Sequence, residues 1–330
     1  MKIKFLKAGS GDSILIQHNS KNIVIDGGND SKSLISEVDK IIQANQVIDL
    51  LIVTHHDDDH IKGIIELVKY IDKHTSVKCS DFFKEVLFNS PNKILQKKDK
   101  NNYLSYKQAF DLEELLVKNN INWNGCNEES NSIEFDGLVL NFLSPTRVDL
   151  ESYAMSAGAY LTSDFKSDWE SPLHKLDKHI NDDSLDVSNP NRSSVVIMIR
   201  CEEKQILLPG DVTPNRLDEI LHKLIGTATS FNFDLIKLPH HGSYRSLSET
   251  ILKKINCNNF VISANGKKKN LPNKRTFLKI FKYMDRSNKK TVNFLFNYNE
   301  VIDCLNITDK EKREYNFTLT PSTESYGINY

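Results

Sequence analysis

The run Ile48–Val53, rich in β-branched and aliphatic residues and without regular polar alternation, reads as a strand covered on both faces. It passes directly into Thr54-His55-His56-Asp57-Asp58-Asp59-His60. Three imidazoles and three carboxylates in six positions, 55–60, serve no packing purpose at a strand end, so divalent-metal binding is the economical explanation. In an extended loop alternate residues share a side, which lets His55, Asp57 and Asp59 converge while His60 turns inward at the start of a helix. The competing explanation is an acidic helix N-terminus with Asp58 and Asp59 as caps. The helical spacing of IKGIIELVKYI places that helix at Ile61–Ile71.

Two later segments repeat the design. Leu207-Leu208-Pro209-Gly210-Asp211 sets a carboxylate beyond a strand and a tight turn, and Asp234–Leu238 leads through Pro239 to His240-His241-Gly242-Ser243. Either alone fits a cap or a surface pair. Three strand ends that each deliver metal-type ligands point jointly to one centre.

Strands are expected at Lys2–Lys7, Ser13–Gln17, Asn22–Ile25, Ile133–Phe142, Ser194–Arg200, Gln205–Leu208, Phe233–Leu238, Phe260–Ala264 and Val292–Phe296. Helical patterns cover Ser33–Ala44, Asn215–Leu224, Ser248–Lys254 and Thr276–Met284. Two strand-rich halves suit an α/β fold of four layers, an αββα sandwich, formed as a single domain over residues 1–330. Residues 79–128 and 145–190 fit the rhythm poorly and are expected to be insertions.

Charge and composition narrow the function classes. With 43 Lys+Arg against 44 Asp+Glu, bulk charge does not suit a protein that coats nucleic acid. No apolar run approaches the length of a membrane span and the N-terminus has no signal-peptide pattern, so a soluble protein without membrane association is expected. Five scattered cysteines without a CxxC pair suggest a reducing, cytoplasmic compartment.

THHDDDHIKG resembles the HxHxDH signature of the metallo-β-lactamase fold in the variant HxDxDH, followed by Gly63. GSGDSILIQ, NIVIDGG, NRSSVVIMIR, ILLPGD and IKLPHHGS, in that order, resemble the metallohydrolase domain of ComEC-type competence proteins. The resemblance implies two divalent ions: His55 and Asp57 holding one, Asp59 and His60 the other, Asp211 bridging and His241 completing the second site. Asp26 would be a structural carboxylate near the loop that carries the ligands. The carboxylate-rich set makes manganese, and also magnesium, competitive with zinc. Two imidazoles common in relatives are absent, with Asn189-Pro190-Asn191 and Asn270-Leu271-Pro272-Asn273 in their places.

The expected activity is hydrolysis of a phosphodiester, in DNA, RNA or a nucleotide derivative, by a hydroxide held between two cations roughly 3.5–4 Å apart. Asp59, Asp211 and His240 are the expected catalytic residues, with His240 meeting the phosphate or the leaving oxygen. Ser243, Tyr244 and Arg245 are candidates for phosphate contact. Lys267, Lys268, Lys269, Lys274 and Arg275 are placed by similarity near the rim, where they would favour a nucleic-acid backbone. Hydrolysis of an ester, lactone or thioester is the alternative enzyme. A catalytically weak metal-binding module that recognises nucleic acid or a protein is the alternative outside enzymes.

Overall fold

The computed structural model describes residues 1–96, 106–155, 167–180, 185–267, 270–287 and 290–330. In chain order the strands are β1 (Lys2–Leu6), β2 (Ile14–His18), β3 (Lys21–Ile25), β4 (Leu50–Val53), β5 (Val86–Phe88), β6 (Trp123–Asn124), β7 (Ile133–Phe135), β8 (Leu138–Ser144) and β9 (Val196–Cys201). They continue with β10 (Lys204–Leu208), β11 (Phe231–Asn232), β12 (Leu235–Lys237), β13 (Ile255–Asn256), β14 (Asn259–Ile262), β15 (Val292–Phe296), β16 (Phe317–Pro321) and β17 (Gly327–Asn329). One sheet of seven runs β17-β1-β2-β3-β4-β5-β6, and one of eight runs β16-β15-β14-β12-β10-β9-β8-β7. β11 and β13 form a small separate ladder.

Side-chain parity divides each central strand between two cores. Leu50 and Ile52 of β4 enter the core between the sheets, where they join Ile197 and Ile199 of β9, Ile206 and Leu208 of β10. Leu51 and Val53 face outward into a core shared with the helices Lys32–Gln43, Asp58–His74 and Lys107–Lys118. Val196, Met198 and Leu207 face outward from the second sheet toward the helices Pro214–Ile225 and Lys274–Tyr283. Four layers, αββα, result. A strand buried on both faces cannot alternate in polarity, which is why β4 reads as an unbroken apolar run.

Several elements differ from the reading above. Residues 79–128, expected as an insertion, extend the scaffold itself, because Val86–Phe88 and Trp123–Asn124 are the last two strands of the first sheet. Strands of three and two residues are too short to show a period. No strand is expected beyond Val292–Phe296, yet β16 adds to the second sheet and β17 to the first. The helix after β4 begins at Asp58 rather than Ile61. Two acidic residues in its first turn favour that start by facing the positive end of the helix dipole. Cys304 is exposed, whereas the other four cysteines are buried, and all five are free thiols. No helix among the described residues is long and apolar enough to cross a membrane.

Close backbone approach fixes the Asp58–His74 helix. A Cβ on Gly63 would lie 2.0 Å from the carbonyl oxygen of Gly27, and the Gly63 amide donates to Gly28 O at 2.8 Å. Gly27 in turn donates to the carbonyl of His60 at 2.8 Å. The glycine after the His/Asp loop thus lets the helix seat directly on the turn that follows β3.

Gly63→Ala should therefore push the helix away from this turn and cost about 3 kcal/mol, the upper end of overpacking penalties. Urea unfolding checks this against Lys69→Ala on the exposed face of the same helix, which should change little.

Candidate metal centre

The chemistry-bearing residues lie mainly at the C-terminal ends of parallel strands from both sheets: Asp26 after β3, the His55–His60 loop after β4, Asp211 after β10 and His240-His241 after β12. Hydrogen bonds lock the two sheets together at this end. Val195 donates to Thr54 O at 3.0 Å, and Asn265 donates to Gly9 O at 3.1 Å. The hydroxyl of Ser263 donates to Gly11 O at 2.8 Å. The close fit leaves Gly11 no room for a side chain, since a Cβ there would sit 1.5 Å from the carbonyl oxygen of Asp59.

Asp211, 2% exposed, is the centre of the cluster. Its Oδ1 lies 3.4 Å from His60 Nε2, while its Oδ2 lies 3.4 Å from His241 Nε2 and 3.8 Å from His240 Nε2. His241 Nε2 is also 3.7 Å from Asp59 Oδ2. On the other side, His55 Nε2 lies 3.7 Å from Asp57 Oδ2. The Asp57 side chain is 38% exposed and marks the open side of the site.

The far nitrogens of the imidazoles are held from behind. His60 Nδ1 is 2.8 Å from Asp26 Oδ2, and Asp26 also accepts from the Thr54 amide at 2.8 Å and the Thr54 hydroxyl at 2.6 Å. His241 Nδ1 lies 3.1 Å from Ser263 O and 3.4 Å from Asp12 Oδ1. Asp12 is paired in turn with the fully buried Lys237. Each imidazole thereby turns Nε2 into the cavity, as partners behind metal-binding histidines do.

These contacts set the protonation of the metal-free centre. Burial alone would lower His60, but the facing Asp211 and Asp26 outweigh it and hold the imidazole well above its usual range. Burial likewise opposes the charge on His241, and Asp211 and Asp12 lift it to about 9. Burial would raise Asp211, yet His241, His60 and His240 keep it well below the usual carboxylate range.

Among the described residues, Nε2 of His55, His60 and His241 and Oδ1 of Asp211 are buried without a hydrogen-bond partner. Orphaned atoms of this kind, all ligand types, are costly unless an ion satisfies them. One atom from each of Asp12, His60, Asp211 and His241 lies within 4.8 Å of the others. The 3.4 Å separations about Asp211 match the edge of a tetrahedron built on ligand bonds of about 2.0–2.2 Å. The donor set fits a divalent cation. Asp12 faces Nδ1 of His241 rather than Nε2, so it belongs behind the ligands.

Asp12, Lys237 and Asp186 are the residues that sequence reading missed. Asp12 follows two glycines in a turn between strands, Lys237 is concealed in an apolar strand, and Asp186 lies in an aperiodic stretch. His56 packs against the rings of Tyr106 and Tyr153 at centroid distances of 5.3 and 5.1 Å, and Asp58 accepts from Gln108 Nε2 at 2.6 Å. The two loop positions outside the expected ligand set are thus gripped by the stretches 79–128 and 145–190.

The residues expected on the substrate side are placed otherwise. Lys274 is not at the rim: it is fully buried, and its ammonium donates to the carbonyls of Trp169 at 2.7 Å and Ser171 at 3.1 Å. The Tyr244 ring is buried beneath the Arg275 guanidinium, 3.6 Å from the ring centroid, and cannot reach a substrate without displacing it. Ser243 accepts from the Arg245 amide and caps a short turn. Lys267 is exposed, while Lys268 and Lys269 lie outside the described residues. A lysine run and a serine after a loop carry no local signal that separates tethering from ligand contact.

A sequence model of the metallo-β-lactamase superfamily matches residues 6–77, which hold Asp12, Asp26 and the His55–His60 loop. Among solved structures, the chain is similar to the metallo-β-lactamase fold protein YhfI from Bacillus subtilis, with 10% identity, a TM-score of 0.44 and coverage of 100% of this chain and 98% of that one. It is also similar to Igni18, a metallo hydrolase from the archaeon Ignicoccus hospitalis, with 13% identity, a TM-score of 0.44 and coverage of 100% and 99%. Zinc-bound PqqB from Methylobacterium extorquens gives 13% identity, a TM-score of 0.42 and coverage of 100% and 99%. No curated protein matches the chain. The superfamily match over residues 6–77 agrees with the αββα layers and with the candidate ligands at one end of the seam.

Because His60 and His241 carry protons at pH 7 in the metal-free protein, cation binding should release about two protons there. The contribution of His241 should fade as pH rises through about 9. Titration calorimetry in buffers of different ionisation enthalpy measures the number. Lys237→Met should leave the buried Asp12 carboxylate without its lysine and with His241 as its facing partner, costing about 3 kcal/mol in urea unfolding.

Proposed function

We propose that this chain is a divalent-metal-dependent hydrolase of phosphodiesters, acting on a nucleotide derivative or a nucleic-acid strand. The observation that carries the reading is the buried convergence of His60, His241 and Asp211 on one point, with the half-buried His240 beside them. In this reading Asp59, His60, Asp211 and His241 hold one cation, and His55 and Asp57 share Asp211 around a second. The ordered likeness to ComEC-type metallohydrolase domains supports the phosphodiester class.

Divalent cations bound there would supply Lewis acidity toward a phosphoryl oxygen and acidify water. Asp211, wedged between imidazoles from opposite sheets, fixes the spacing of the centre. Asp57, at the open side, meets the approaching substrate. His240 is not assigned to a cation in this reading, and its Nε2, 3.8 Å from Asp211 Oδ2, could give a hydrogen bond to a phosphate oxygen or a proton to the leaving oxygen. Carboxylates make up half of this set, Asp57, Asp59 and Asp211 beside three imidazoles, so manganese, zinc and magnesium all enter the reading. With Lys274 committed to carbonyls and Arg275 stacked on Tyr244, contacts to a long polymer would have to come from elsewhere on the rim, such as Lys267.

Protein loaded with manganese or zinc should hydrolyse bis-p-nitrophenyl phosphate. Asp211→Ala should abolish turnover and lower metal content by elemental analysis, whereas His240→Ala should keep its metal and lose about 10²–10⁴-fold in kcat. Turnover of a lactone or thioester with no action on the phosphodiester would replace this reading with the esterase.

A further inference from the structure

His240 is held by groups that neither the motif nor the metal ligands account for. Its Nδ1 lies 3.4 Å from Oδ2 of Asp186, a carboxylate only 5% exposed in the last part of the stretch 145–190. Asn191, also buried, donates its amide to the same Oδ2 at 2.6 Å, and the Ser188 amide donates to Asp186 Oδ1 at 3.0 Å. The Asp186 amide donates to Arg245 O at 3.1 Å, which ties this loop to the segment just after the His pair.

The backbone of the His pair needs such support. His240 and His241 have φ of 46° and 55°, a left-handed pair outside the usual range of side-chain-bearing residues. Conformations of this type persist only where surrounding contacts over-determine them. His241 is fixed by Ser263 O and Asp12, as described above. For His240, Asp186 Oδ2 and Asn191 Nδ2 each lie 3.4 Å from Nδ1, and of the two only the carboxylate can accept a proton from the ring. Asn191 lies in the stretch that replaces an imidazole common in relatives, and there it braces a carboxylate.

We propose that Asp186 is a positioning residue for the hydrolytic reaction: with Asn191 bracing it, Asp186 accepts the Nδ1 proton of His240 in a hydrogen bond and aims Nε2 at the Asp211 side of the cavity, where substrate binds. The proposal rests on the reading of His240 as the group that meets the substrate. It gives the aperiodic stretch before β9 a task, supplying a buried carboxylate to the site from outside the metal motif.

Two measurements test it. In the first, nitrogen-15 NMR of histidine-labelled, zinc-loaded protein reports the ring tautomer of His240, assigned by comparison with His240→Ala. A proton on Nδ1 is expected in the unmodified protein. It should be lost or strongly shifted in Asp186→Asn. A neutral ring protonated at Nε2 alone in the unmodified protein would overturn the proposal, and this arm needs no variant of Asp186 to fold.

In the second, Asp186→Asn should lower kcat for bis-p-nitrophenyl phosphate about 10–100-fold, the usual cost of losing a partner behind an active histidine, with KM and metal content nearly unchanged. Combined with His240→Ala it should cost nothing further, because its effect passes through that ring. An equal loss in both backgrounds would mean that Asp186 only supports the loop, and would overturn the proposal. If the unmodified protein fails to turn over the phosphodiester, the functional reading falls while the tautomer measurement still decides the role of Asp186.

Discussion

The organising constraint of this molecule is the Asp211 carboxylate, taken out of water and surrounded by three imidazoles. Desolvating an ionised carboxylate is expensive, and it persists only where opposite charge compensates it. The facing carboxylates favour protons on His60 and His241 in the metal-free chain, and a cation bound there would displace them. Much of the local architecture serves this exchange: the glycines that let backbones meet, the hydrogen bonds between sheets, and the carboxylates behind the rings.

Those carboxylates recur with one geometry and three sources. Asp26 backs His60 from the end of β3, Asp12 backs His241 from the β1–β2 turn, and Asp186 backs His240 from the loop before β9. In each pair the carboxylate meets Nδ1, so Nε2 faces inward. Three segments distant in sequence solve the same problem, which is to choose the nitrogen each ring presents. A histidine with neither nitrogen engaged would sample both tautomers and could not hold one orientation for a ligand or a phosphate.

Legibility in the sequence follows from whether a residue's task is local. The strand-to-loop switch at Val53/Thr54, the turn before Asp211 and the His pair after β12 all announce themselves, because ionisable groups directly after an apolar strand have no bland use in that density. The central strands are legible for the same reason, since burial on both faces suppresses alternation. Asp12, Lys237 and Asp186 work only through partners that are remote in the chain: Asp12 and Lys237 are separated by most of the sequence and meet through packing alone. Residues 267–275 mislead in the opposite sense. Lys274 has the composition of a solvated rim residue, yet the fold turns its ammonium onto backbone carbonyls that no pattern of side chains reveals.

The position of the centre couples the two halves. His55, Asp57, Asp59 and His60 belong to the first sheet, and Asp211, His240 and His241 to the second, so neither half alone assembles the ligand set. The sheets must pack before the candidate centre exists, and a cation bound across the seam would stabilise only the packed form, by an amount set by its affinity and free concentration. The same seam gives the chemistry its asymmetry. Asp57, on the first sheet, is open to solvent, whereas the ligands on the second sheet are buried behind Asp211. Under the proposed function a substrate would approach from the Asp57 side and meet His240 beyond the candidate ligands, so what holds that ring would bear on the rate as well as on the fold.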